Sequence, residues 1–132
     1  MRRLLLLLVA TWCLAMAPDD GSRHKEWMDT AQEVKDDLKD ALDSKLAAKA
    51  VENAAKLAAI GKQEEAYWKK AGQKDAIGLA QKNRAAAQQI GVAAKAGRFN
   101  QALQVYRDLE ATCRACHDLH PDKRLVGSAA AK

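Results

Sequence analysis

Cys113, Cys116 and His117 stand together in the stretch ATCRACHDLHP, residues Ala111 to Pro121. The pattern is C-x-x-C-H. Two cysteines at this spacing serve as a disulfide, half of a zinc site, a dithiol redox couple, or the attachment point of a c-type haem. Residues three apart share one face of a helix, so both sulfurs can be offered to the same partner. Two thiols that add to the two vinyl groups of a porphyrin leave two thioethers, and a histidine directly after them can reach iron from the proximal side. The other chemistries fit less well. Structural zinc takes four ligands, usually from two such pairs; this chain has one pair, and His24 and His120 are not at zinc-finger spacing. A thioredoxin-like couple sits beside a βαβ pattern, and no strand pattern is present. A plain disulfide leaves His117 without a role.

The other end of the chain says where such chemistry would take place. Arg2 and Arg3 precede an apolar run, Leu4 to Val9, that continues through Trp12, Cys13 and Leu14. Ala15-Met16-Ala17 then sets small residues at the two positions a signal peptidase reads, and Pro18-Asp19-Asp20-Gly21 is polar and turn-forming. A basic start, a short apolar core and an A-x-A end make residues 1–17 a cleavable secretory signal peptide. The run is short for a membrane span. Cys13 follows Trp12, where a lipid-attachment cysteine needs a small residue, so it is expected to leave with the signal. The expected location is the periplasm, an oxidising compartment in which Cys113 and Cys116 are the cysteines that remain. Export also delivers the chain to where c-type haem is attached, which strengthens a motif short enough to arise by chance.

The 132 residues allow one domain, expected over residues 18–126, with 127–132 as a flexible tail. The whole chain has 22 basic and 17 acidic residues. Loss of Arg2 and Arg3 leaves 115 residues with 20 basic against 17 acidic, a charge of about +3, which is too mild to argue for nucleic acid. No membrane span is expected once the signal is gone.

These residues must be positioned by helices. Alanine, lysine, glutamine, glutamate and leucine, all strong helix formers, dominate, and β-branched residues are few. Gly and polar clusters mark four segments. The first is expected over Ser22–Ala41, capped by Ser22, with an apolar stripe of Trp27, Ala31, Val34, Leu38 and Leu42. The second starts near Asp43-Ser44, carries Leu46, Ala50, Ala54, Leu57 and Ile60, and ends or breaks at Gly61; Glu64 to Lys70 adds a turn or two before Gly72. The third spans Lys74–Ala96, with Ala76 or Ile77, Ala80, Ala87, Ile90 and Ala94. The fourth spans Arg98–Leu119, with Phe99, Leu103, Tyr106, Leu109, Cys113 and Cys116, and Pro121 stops it. Four amphipathic helices with short connections predict an all-α, antiparallel four-helix bundle. Its core residues are small, mostly alanine, so the bundle is marginal on its own side chains. A large apolar body held between the helices would change that.

A C-x-x-C-H on the last helix of an exported all-helical domain resembles class II c-type cytochromes, the cytochrome c′ and cytochrome c556 family. In layout the resemblance covers essentially the whole chain after the signal. It implies a left-handed bundle with one haem c between the helices, often as a homodimer, with Cys113 and Cys116 as thioethers and His117 as proximal ligand. The family's distal residue comes from the first helix: cytochrome c′ members leave an apolar side chain over the iron and bind gases such as nitric oxide, whereas c556-like members place a methionine there. Met28, the one methionine after residue 17, lies on that helix, and a thioether is a suitable soft ligand. At about 100° per residue, Met28 falls at the edge of the Trp27 stripe, which leaves simple packing as its other reading. His24, one turn earlier, competes as a second histidine ligand, although it lies near the chain's start. His120 shares a helix with His117 and is expected to meet solvent or a propionate. Where the family has an aromatic and then a basic residue after the motif, this chain has His120 and Pro121; Lys123 and Arg124 are the nearby basic side chains.

The resemblance implies an exported mono-haem electron carrier with six-coordinate His/Met iron, not an enzyme, passing electrons to and from redox partner proteins. The alternatives are a five-coordinate nitric oxide-binding cytochrome c′ and, from another class, a haem-free helical binding module with a thiol pair. Trp27, Phe99 and Tyr106 are expected as core or pocket aromatics, and Trp68 as a cover for the bundle's end.

Overall fold

The computed structural model describes residues 20–121. They form four α-helices: α1 Asp20–Asp43, α2 Ala47–Ala71, α3 Lys74–Lys95 and α4 Phe99–Leu119. Among the described residues no strand occurs, and no helix is long and apolar enough to cross a membrane. The expected signal peptide 1–17, the tail 127–132, and Lys123 and Arg124 lie outside the described residues.

The connections hold two or three residues each, so consecutive helices fold back on one another as antiparallel neighbours. The same device closes each of the first three helices. Lys45, Gly72 and Gly97 adopt left-handed backbone, with φ of 54°, 72° and 72°. The amide of each, and that of the residue after it, turns back onto carbonyls of the last helical turn, as in Gly72 N to Lys69 O (3.2 Å) and Gln73 N to Trp68 O (3.1 Å). This satisfies carbonyls that the helix end leaves open.

One expected cap is displaced and one expected break is absent. Ser22 lies inside α1 instead of capping it. Helix α2 begins at Ala47, because Asp43 still belongs to α1, and it runs through Gly61 without interruption, so Glu64 to Lys70 is part of one long helix. Gly61 is there for closeness: a Cβ at this position would stand 3.1 Å from Arg84 Cβ and 3.2 Å from its Cα. The missing side chain lets α2 and α3 approach. Leu46, expected in the core, is exposed in the turn.

The core is divided. A larger cluster joins Val34, Leu38 and Leu42 of α1 to Ala54 and Leu57 of α2, Ala87 and Ile90 of α3, and Tyr106 and Leu109 of α4. Leu38, Leu42 and Ile90 are fully shielded, each contributing about 1.5–3 kcal/mol by burial. A smaller cluster of Trp68, Ala76 and Ala80 closes the other end. Helix α1 packs well on α2 but only sparsely on α4, and between the two clusters the bundle holds a cleft.

Candidate functional site: an apolar cleft between the first and last helices

The cleft holds a cavity of about 90 Å3 that opens at its mouth to solvent, smaller than the roughly 300–1,000 Å3 of small-molecule and cofactor sites, so a large occupant would have to part the helices further. Leu109, Cys113, Cys116 and His117 of α4 form one wall. The motif lies on regular helix, so both sulfurs face the same space, as the spacing requires. Met28, Ala31 and Lys35 of α1 lie across from them, and Leu57, Ile60 and Gly61 of α2 form part of the back. Helix α3 contributes Ala80 and Asn83, which are short and leave room.

Met28 is half-buried at the cleft and His24, one turn earlier, also lines it. The buried face of α1 runs through His24, Ala31, Val34, Leu38, Ala41 and Leu42, with Trp27 half-buried on it and Met28 and Lys35 at its edge. The expected stripe of Ala31, Val34, Leu38 and Leu42 is therefore the face that packs into the core. Two polar residues, His24 and Lys35, also turn to the cleft and lay outside a search for apolar spacing.

His24 corrects one expectation. It is not in a frayed terminus but only 3% exposed. Its Nε2 is 2.8 Å from Glu64 Oε2, its ring stacks on Tyr67 with centroids 4.4 Å apart, and it meets Trp68 edge-on at 5.3 Å. The indole N–H of Trp68 donates to the same Glu64 oxygen at 3.2 Å. Glu64 lines the cleft, and its other oxygen, Oε1, is buried without a hydrogen-bond partner. Nothing in the sequence singled out Glu64; its spacing of four from both Ile60 and Trp68, on an otherwise apolar face, is the available signal. The adjacent Glu65 is tied instead to Lys69 (2.6 Å), Arg84 (3.0 Å) and Gln81 (3.0 Å).

His120 does more than meet solvent. Its Nε2 lies 3.0 Å from Asp75 Oδ2, and its ring rests against Trp68 with centroids 4.6 Å apart. Trp68, on helix and buried, covers that end of the bundle as expected. Tyr106 belongs to the far core, where its hydroxyl donates to the Lys35 carbonyl at 3.2 Å. Phe99 packs at the edge of the same core, and Trp27 is half-buried against Tyr67.

Both cysteines are free thiols and partly buried. Burial pushes the Cys116 thiol up to about 11, with the Glu64 carboxylate adding to the effect, and burial also raises Cys113. Thiols held protonated at neutral pH are weak nucleophiles, which disfavours a reactive dithiol couple. Among the described residues no group of three or more His, Cys, Asp or Glu could hold a bare metal ion. A pair of sulfurs and one imidazole beside an apolar cavity, with a thioether opposite, instead matches the donor set of an iron porphyrin. The Oδ1 of Asn83, which also lines the cleft, is like Glu64 Oε1 buried without a hydrogen-bond partner.

Comparisons with protein-family models, with curated proteins and with solved structures find no match to this chain.

Proposed function

We propose that the chain is an exported mono-haem c-type cytochrome that carries electrons, with Cys113 and Cys116 as the haem thioethers, His117 as proximal ligand and Met28 as distal ligand. One observation carries the reading: all three motif residues and Met28 line a single apolar cleft at the loosely packed α1–α4 seam. Haem c, when bound, supplies an iron that cycles between two oxidation states. The chain's own residues tether, orient and desolvate. The helical turn from Cys113 to His117 fixes attachment and proximal approach together. Leu57, Ile60 and Leu109 exclude water. His24 is already engaged by Glu64, which leaves Met28 as the α1 side chain available to the iron. The signal peptide expected at residues 1–17 supports work in the periplasm, with redox proteins as partners and no substrate turned over.

The competing state is a five-coordinate iron open to nitric oxide. The absorption spectrum of the oxidised protein separates the two. His117/Met28 ligation gives low-spin features with a methionine-to-iron charge-transfer band, and Met28→Ala converts them to a high-spin spectrum. A wild type that is already high-spin, or a Met28→Ala spectrum unchanged from a low-spin wild type, refutes Met28 as a ligand.

A further inference from the structure

The cleft contains one charged group whose bonding is incomplete. Glu64 is 8% exposed as a residue, its Oε2 receives both His24 and Trp68, and its Oε1 has no hydrogen-bond partner. Lys35, the cationic side chain at the cleft, is committed to Glu110 at 3.7 Å. Glu65, next in sequence, is offset by Lys69 and Arg84. His24 and Trp68 both bond the one oxygen, so the other faces the apolar wall with no lysine or arginine bonded to it. A buried carboxylate left with a bare oxygen costs stability, and such a cost is expected where function requires the charge.

From this we infer that Glu64 is the internal counter-charge of the cleft and sets the redox balance of the bound haem by favouring the oxidised, more positive iron. The inference rests on the haem reading above. A negative charge in a poorly solvated interior acts at longer range and with less salt screening than one on the surface. Glu64 is a positioning residue for charge and does not ligate the iron.

The test uses the exported, haem-loaded full chain and its midpoint potential from a spectroelectrochemical titration. Glu64→Gln keeps the shape and removes the charge. It should shift the ferric-to-ferrous equilibrium towards ferrous by about tenfold, a rise of about 59 mV for a one-electron couple, while the oxidised spectrum, and so the ligation, stays as in the wild type. Glu64→Asp keeps the charge but withdraws it, and should give a smaller rise. Glu65→Gln, whose charge is already paired, should leave the potential in place. Potentials of Glu64→Gln and Glu64→Asp equal to the wild type overturn the inference, and so does an equal rise in Glu65→Gln. If Glu64→Gln yields no holoprotein, Glu64→Asp decides alone: an unchanged potential sinks the proposal. A wild-type chain that carries no haem is a different failure, that of the reading beneath it.

Discussion

At the scale of single residues, burial governs the chemistry of the motif. Cys116 is raised to about 11 and Cys113 is raised as well, both chiefly by loss of water. The unfolded chain releases these protons near the ordinary thiol value of 9.0, so between about pH 9 and 11 the folded thiols bind more protons than the unfolded ones. Their contribution to stability is therefore complete below pH 9 and falls as pH rises to 11. Urea unfolding of the haem-free chain across this range should show that decline, and Cys116→Ser should reduce it. Thioethers do not titrate, so the haem-loaded chain should lack the cysteine part and keep only the part due to Tyr106, whose hydroxyl burial also raises. The cysteines and His117 were legible in the sequence because their chemistry is written in spacing. Glu64 was not, since a glutamate among lysines on a helix is ordinarily a solvated one, and only the approach of α1 buries it.

At the scale of elements, alternation of helix and turn was readable because Gly72 and Gly97 sit where left-handed backbone is needed. The first turn was read a few residues early, near Asp43-Ser44, because Lys45 and not a glycine takes the same conformation there. A side chain in left-handed backbone costs about 1–2 kcal/mol, against about 0.5–1 kcal/mol for the entropy that glycine gives up. Lys45→Gly should therefore stabilise the protein by up to about 1 kcal/mol, seen as a higher urea midpoint with an unchanged slope; a lower midpoint would contradict this account of the turn. Gly61 misled in the opposite direction. Glycine inside a helical pattern suggests a stop, but here the chain needs the absent Cβ so that α2 can lie against Arg84. Sequence periodicity describes one helix at a time and is blind to such approaches. The same limit explains why the apolar stripe of α1 was readable while the burial of His24 was not, since that depends on Glu64, Tyr67 and Trp68 of α2.

At the scale of the whole molecule, the division of the core is the feature that ties fold to function. The far end is closed by Leu38, Leu42, Ile90 and Tyr106, the near end by Trp68 with Ala76 and Ala80, and the space between them is lined but not filled. The sequence anticipated this in its small core residues, which cannot close a four-helix bundle over its whole length. It did not show that the gap lies at the α1–α4 seam, since that depends on how sparsely those two helices touch. A covalently held porphyrin would complete the core and join the helices that the protein itself leaves apart. The most direct measurement is the mass and visible spectrum of the denatured chain, exported from a host competent in cytochrome maturation. The account predicts that one haem remains with the unfolded polypeptide and that neither Cys113 nor Cys116 can be alkylated. A colourless chain in which both thiols react would contradict it.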